Sequence, residues 1–278
     1  MRLTVSSIIE KKKNKEKITM LTAYDFSFST MVDAAGIDII LVGDSMANVI
    51  LGMDSTTEIS LDEMINHSAA VVKGSERALV VGDMPYCSYQ INPDDAVDSA
   101  HRFFHDAGCH AVKLEWFDDV LKATAQIVHH NIPVMGHIGF TPQTADKLVG
   151  SKVQGKDIET AHRLIEQARA LEAAGCFGIV LECVPWQIAK IITEDIQIPT
   201  IGIGAGVHCD GQVLVLNDML GLFKRFTPKF VKIYEDLFSA AVSGIQKYAD
   251  EVRSGAFPSE KESFSMNEEE FNKLKEFL

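Results

Sequence analysis

Eight short apolar runs, each followed by a longer stretch of mixed polarity, set the narrowest limit on how this chain can fold. The runs lie at 18–24, 37–42, 78–81, 111–114, 133–137, 178–181, 199–203 and, less distinctly, 213–216. They are rich in Val, Ile and Leu and do not alternate with polar residues. That is the texture of parallel strands covered on both faces. Between them, 26–35, 61–73, 93–107, 118–130, 157–174 and 186–194 read as helices. Three of these stop at Gly before the next strand, at Ala35-Gly36, Ala107-Gly108 and Ala174-Gly175, as helices commonly do. Pro93 and Pro228 suit the first turn of a helix. Eight strand–helix units over about 250 residues predict a (β/α)8 TIM barrel. A doubly wound open sheet shares the local pattern, because periodicity does not report closure. No Pro/Gly/Ser linker interrupts the chain, so residues 1–278 read as one domain. An extra helix is expected at about 5–14. C-terminal helices are expected after the barrel, and a polar tail at about 255–278 carries the last of them at 267–278, either docked or loose.

Charge narrows the partners. Lys and Arg number 26 against 39 Asp and Glu, a net −13. Nucleic acid and anionic membranes bind through Lys and Arg, so neither is expected. The basic run Lys11 to Lys17, interrupted by Asn14 and Glu16, reads as a solvated helix end. No apolar run reaches the roughly 18 residues of a membrane span. The opening MRLTVSSIIEKKK has no apolar signal-peptide core, so the cytoplasm is the expected location. Five cysteines, Cys87, Cys109, Cys176, Cys183 and Cys209, form no CxxC and suggest neither a disulfide framework nor a zinc site.

The acids fall where chemistry would need them. Asp44-Ser45 closes the second run, Asp83 the third, Lys113 and Glu115 the fourth, His137 the fifth and Glu182 the sixth. Ligands of parallel α/β arrays bind at the carboxyl ends of strands. One such acid is ordinarily a turn or helix-cap residue. Four acids with a Lys and a His on one rim call for a different account. Carboxylates buried together need a cation or a proton. Converging oxygens without Cys suit a hard cation such as Mg²⁺, which keeps waters and leaves room for substrate. Asp44, Asp83 and Glu115 are therefore metal-ligand candidates. Lys113 and Glu115, two apart, face the same side of their strand.

Other features are weaker. Gly202, Gly204 and Gly206 in TIGIGAG could cradle an anion or allow close backbone packing. No clear helix follows, so a dinucleotide site is not expected. His67, His101, His105, His129 and His130 fall on helices and read as surface or core residues. Cys183 lacks a His partner at fixed spacing and reads as structural. Met46, Met53 and Met84 could line a pocket or fill the core.

Longer segments then carry a resemblance. They are MLTAYD at 20–25, LVGDSMANVILG at 41–52, TTEISLDEMINH at 56–67, VVGDMPYCSY at 80–89, AVKLEW at 111–116 and PVMGHIGFTPQ at 133–143. KVQGKD at 152–157, LEAAGCFGIVLECVP at 171–185 and IPTIGIGAGVHCDGQVLVLNDMLG at 198–221 continue the series. Over roughly residues 3 to 240 the chain resembles the ketopantoate (3-methyl-2-oxobutanoate) hydroxymethyltransferase family. The resemblance implies a barrel of the phosphoenolpyruvate/pyruvate-binding type. It implies transfer of a hydroxymethyl group from 5,10-methylenetetrahydrofolate to 3-methyl-2-oxobutanoate, giving 2-dehydropantoate for pantothenate and coenzyme A synthesis. Carried across by motif, Asp44, Asp83 and Glu115 correspond to a site for one Mg²⁺ per subunit. Asp44, Ser45, Asp83 and Lys113 correspond to ketoacid contacts, Glu182 to the proton acceptor, and His137 lies in a motif at the site. A homo-oligomer, commonly a decamer, is implied as well. The chain departs from the family at Asn217-Asp218, where His-Asp is usual, at Trp186 and at Cys87. The rival readings are a folate-independent, Mg-dependent oxoacid lyase or mutase on the same barrel, and an inactive barrel serving as a binding subunit.

Overall fold

A computed structural model of the chain describes residues 2–147 and 153–278, so Lys152 of KVQGKD lies outside the described residues. Its strands are β1 (Ile18–Thr22), β2 (Ile39–Val42), β3 (Leu79–Asp83), β4 (Ala111–Glu115), β5 (Val134–Gly139), β6 (Gly178–Glu182), β7 (Thr200–Ile203) and β8 (Gly211–Leu214). Each pairs in parallel with the next, and β8 pairs with β1, so the sheet is a closed barrel rather than an open one. The helices are α1 (Val5–Lys13), α2 (Phe26–Ala34), α3 (Met46–Val49), α4 (Leu61–Gly74), α5 (Ala96–His101), α6 (Val120–His129), α7 (Ile158–Ala173), α8 (Trp186–Asp195), α9 (Leu216–Met219), α10 (Leu237–Ser254) and α11 (Glu268–Phe277).

Local chemistry starts these helices. The Asp25 carboxylate accepts the Phe28 N–H at the head of α2, and Asp157 accepts the Thr160 N–H at the head of α7. Ser60 and Glu63 form a reciprocal capping box on α4.

Three expectations need correction. The single helix expected at 93–107 is broken: α5 gives way to a wider π-helical turn, Arg102–Asp106. Phe103 sits in that turn, fully buried, and its ring fills the space that a Cβ at Gly82 would need. The last strand starts and ends two residues earlier than expected, because Gly211 pairs with Ile18 and Leu216 already opens α9. Pro228 starts no helix; it lies in an irregular segment. The C-terminal helices expected beyond the barrel are α10 and α11.

Two cores result. One lies between the strands and the outer helices. The other fills the barrel with Ile18, Met20, Ile39, Leu79, Val81, Met135, Ile201 and neighbours. Ile8 of α1 is fully buried against this second core and plugs the barrel bottom. The basic run is consequently not a free patch. Lys11 Nζ lies 3.2 Å from Asp38, and Lys12 Nζ lies 3.0 Å from Asp210, both just before strands. Lys17 Nζ donates to the Cys209 carbonyl at 2.6 Å.

The plug is testable. Ile8→Ala should cost about 2–5 kcal/mol of unfolding free energy, read from the midpoint of a urea transition. A cost near zero would mean that α1 does not close the barrel.

Candidate active site

Asp83, Glu115 and Glu182 are the final residues of their strands, and Lys113 and His137 sit two residues before a strand end. Register then decides which way they point. Along β3, Leu79 and Val81 belong to the interior core, so Asp83 points inward as well. The same parity turns Lys113 and Glu115 inward after Ala111, His137 after Met135, and Glu182 after Val180. Neighbouring strands set Asp83 beside Lys113 and Glu115 beside His137. Asp44 follows β2 and is buried beside them.

The contacts are short. Lys113 Nζ lies 2.7 Å from Asp83 Oδ1, a charge contact rather than an aligned hydrogen bond, and 3.9 Å from Glu115 Oε1. The Asp44 N–H donates to Asp83 Oδ2 at 3.2 Å. His137 bridges two acids: Nδ1 is 3.3 Å from Glu115 Oε1, and Nε2 is 3.3 Å from Glu182 Oε2. Ser45 Oγ pairs with the Tyr24 hydroxyl at 2.9 Å. Every expected site residue thus lines one cavity of about 570 Å³.

Gln143 was singled out by nothing in the sequence, yet it ties the cluster together. Its side-chain Nε2 donates to Asp44 Oδ2 at 2.9 Å and its backbone N–H to Glu115 Oε2 at 3.0 Å. The Tyr89 hydroxyl donates to Gln143 Oε1 at 2.6 Å, which fixes the amide orientation. A lone Gln carries no recognisable signal; only its position after the GHIGFTP motif could have drawn attention to it. Asp218, on α9, also lines the cavity, and burial pushes its carboxyl up to about 6.

Electrostatics follow from too many acids in too little water. Burial, reinforced by Asp83 and Glu115, pushes the Asp44 carboxyl well above the ordinary range. Burial pushes Asp83 up too, with Lys113 acting against it. Burial also opposes ionisation of Glu115, but His137 and Lys113 outweigh it and hold that carboxyl low. Lys113 is disfavoured as a cation by burial, yet Asp83, Glu115 and Asp44 keep it more firmly protonated than an ordinary lysine. His137 is pushed down by burial and by Lys113, but Glu115 and Glu182 outweigh both and raise it to about 9.

Four carboxyl groups, Asp44, Asp83, Glu115 and Glu182, therefore face two cationic groups, Lys113 and His137. Such an excess, on oxygen donors, fits a hard divalent cation. Among the described residues no three acids, histidines or cysteines stand in a closed metal-ligand arrangement. A Mg²⁺ ion needs only one or two protein carboxylates when waters and substrate supply the remaining ligands.

The backbone aims Glu182. The next residue, Cys183, is buried in a left-handed conformation at φ 51°, which costs a non-glycine residue about 1–3 kcal/mol. The Glu182 carbonyl accepts the Phe140 N–H at 2.9 Å. Gly139 lacks the Cβ that would collide with that carbonyl.

The weaker candidates resolve as packing. A Cβ at Gly206 would collide with Trp186, and one at Gly204 would lie 2.9 Å from the Phe230 ring. Gly204 and Gly206 thus make room for aromatic side chains, and Gly202 for Cys209 and Gln212. Met46 and Met84 are fully buried in the core, whereas Met53 lines the cavity. His67 pairs with the Tyr24 carbonyl, and His101, His105, His129 and His130 cluster on the surface. All five cysteines are free thiols. Among the described residues no helix is long and apolar enough to cross a membrane.

His137 makes a pH prediction. Its pKa lies above the ordinary 6.5, at about 9, so its contribution to stability is full below pH 6.5 and is lost as pH rises through 9. In chelator, the thermal midpoint should fall across that window, and His137→Gln should flatten the fall. An unchanged slope in the variant would assign the titration to another group.

Comparison with known proteins agrees with the geometry. The barrel resembles that of a phosphonopyruvate hydrolase solved with oxalate and Mg²⁺, with a TM-score of 0.60 at 12% identity over 94% of this chain and 93% of the other. A 2,3-dimethylmalate lyase of the PEP mutase/isocitrate lyase superfamily aligns with a TM-score of 0.56 at 15% identity over 100% of this chain and 99% of the other. These likenesses concern the fold. In sequence, the 3-methyl-2-oxobutanoate hydroxymethyltransferase of Syntrophomonas wolfei is 54% identical over 98% of this chain and 99% of the relative. The protein of that name from Clostridium botulinum strain 657 is 52% identical over 99% of this chain and 100% of the relative. The family model for ketopantoate hydroxymethyltransferase matches residues 2–260, and the chain belongs to that family.

Proposed function

We propose that the chain transfers a hydroxymethyl group from 5,10-methylenetetrahydrofolate to 3-methyl-2-oxobutanoate. The product would be 2-dehydropantoate, made in the cytoplasm for pantothenate and coenzyme A synthesis. The observation that carries this reading is one cavity joining a buried ammonium, acids in excess of cations, and Glu182 at its wall. Relatives over 50% identical along nearly the whole chain are named for this reaction.

Asp44, Asp83 and Glu115 would hold one Mg²⁺, which supplies positive charge at the ketone and carboxylate oxygens of the ketoacid. Lys113 contributes a fixed ammonium at the same end of the cavity, stabilising the negative charge that develops on those oxygens. Ser45, oriented by Tyr24, and Asp44 border the place where the ketoacid would sit. Glu182 removes the proton from C3, a carbon too weakly acidic to ionise in water unaided. His137 Nε2 lies in charge contact with the Glu182 carboxylate and offsets its charge. The deprotonated C3 then bonds to the one-carbon unit as the bonds from that carbon to the two folate nitrogens break; water supplies the oxygen of the new hydroxymethyl group, and the protons from water and Glu182 end on the nitrogens of the departing tetrahydrofolate.

The test is an NMR assay of the ketoacid in D₂O with Mg²⁺, before and after the folate is added. Metal-dependent deuteration at C3, then 2-dehydropantoate, is expected. Deuteration without product would favour the folate-independent lyase or mutase. No deuteration from folded protein would favour the inactive barrel. Glu182→Gln should keep ketoacid binding and lose exchange. Asp83→Ala should weaken Mg²⁺ binding about tenfold or more.

The assembly belongs to the same reading. Helix α10 buries no residue and shows Phe238, Val242, Ile245, Tyr248 and Val252 to solvent. An apolar stripe of that length marks an interaction surface. We assign it to contacts between copies of the chain in a homo-oligomer, a decamer by family resemblance. Sedimentation velocity should then give a large oligomer for the native chain and smaller species for Ile245→Asp. Identical sedimentation of the two proteins would remove α10 from the interface.

A further inference from the structure

The active-site chemistry occupies one arc of the barrel mouth, and a different material lines the other. Asp44, Asp83, Glu115, His137 and Glu182 come from the ends of β2 to β6. The remaining arc is spanned by the irregular segment between α9 and α10. Phe230 of this segment packs over Gly204, just after β7. Arg225 reaches across to the loop beyond β2, where it donates to the Gly52 carbonyl at 3.4 Å. Phe223, Arg225, Phe226, Pro228 and Phe230 all line the same cavity as the acids.

Three observations say that this wall has a ligand of its own. The first is size. At about 570 Å³ the cavity is in the range that holds drug-sized ligands and far exceeds a branched five-carbon ketoacid. The second is surface chemistry. Phe226 leaves 61% of its area exposed, on a segment that places three phenylalanines in one cavity wall. Exposed aromatic faces in a concave site favour a flat partner. The third is charge. Lys113 is buried and held by Asp83 and Glu115, and His137 is held by Glu115 and Glu182. Arg225 is exposed, and its guanidinium has the one long bond to Gly52 and no ion pair among the described residues. Asp54 and Asp218 add negative charge to the lining. Among the described cations that line the cavity, Arg225 is thus the one not already held by an acid, and it is where an anionic ligand end would be drawn.

We propose that the 223–230 segment is the seat of the one-carbon donor. Its phenylalanines would take the flat rings of a reduced pteroylglutamate, and Arg225 would pair with the glutamate carboxylate. The proposal rests on the folate-dependent reading above and adds to it the residues that recognise the donor. A guanidinium suits the task because its planar fork binds a carboxylate through two parallel hydrogen bonds. Gly204 serves this wall indirectly: without a side chain there, Phe230 can lie over the strand end.

The experiment measures binding of 5-formyltetrahydrofolate to the full-length, Mg²⁺-loaded protein by calorimetry. The matching pteroyl amide, in which a neutral carboxamide replaces the glutamate, is titrated in parallel. Arg225→Ala should weaken the pteroylglutamate about tenfold, the loss of one favourable ion pair, and leave the amide unchanged. Arg225→Lys should fall between. Phe226→Ala should weaken both ligands. Both alanine variants should keep metal-dependent deuteration of the ketoacid, which reports an intact inner site. Native affinity of Arg225→Ala for the pteroylglutamate would overturn the proposal. So would equal losses for both ligands in that variant. If the native protein deuterates the ketoacid but forms no product with the folate, the functional reading itself has failed. Product formed by the native protein and equally well by both alanine variants would leave that reading standing and remove only this site.

Discussion

Closing eight parallel strands into a ring makes every second residue of each strand an interior residue, and the rest of this protein follows from that constraint. Toward the bottom the interior positions are apolar: Ile18, Ile39, Leu79 and Ala111 pack against Ile8 of the plugging helix. Toward the top the same parity delivers Asp83, Lys113, Glu115, His137 and Glu182. A shift of one residue in any strand would send its charge into the apolar layer under the outer helices. The apolar bottom fixes the register, and the register fixes the polar top.

That delivery has an electrostatic consequence. Carboxylates placed together out of water oppose one another's ionisation, and Asp44 is where the opposition is greatest. Lys113 and His137 relieve part of it. Each binds acids on more than one element, so the cluster is braced across β3, β4, β5 and β6. Gln143, itself held by the Tyr89 hydroxyl, binds the Asp44 and Glu115 oxygens that the cations do not reach. The arrangement is rigid where it grips and short of positive charge where a ligand would enter. Those are the properties required of a site that recruits a divalent cation and a ketoacid together.

Much of this was legible before the fold. The apolar runs gave all eight strands, the Gly stops gave helix ends, and the rim acids marked the cavity. The Lys113–Glu115 spacing already placed both on one face. Gln143 was not legible, because it acts through two partners, Asp44 and Glu115, that are remote in sequence. The π-helical turn at Arg102–Asp106 was not legible either, since Phe103 meets Gly82 only once α5 packs on β3. The TIGIGAG glycines could have served an anion or a close contact. The bulk of Trp186 and Phe230 across from them settled it for contact.

The sequence by itself determined the alternating elements, the acids that close them and the family, because periodicity, turn chemistry and motif are properties of neighbouring residues. Only the tertiary structure decided that the sheet closes, that the acids outnumber the cations facing them, and that residues 223–230 wall the cavity opposite those acids. Each of these depends on distances between segments far apart in the chain, and local sequence carries no record of such distances.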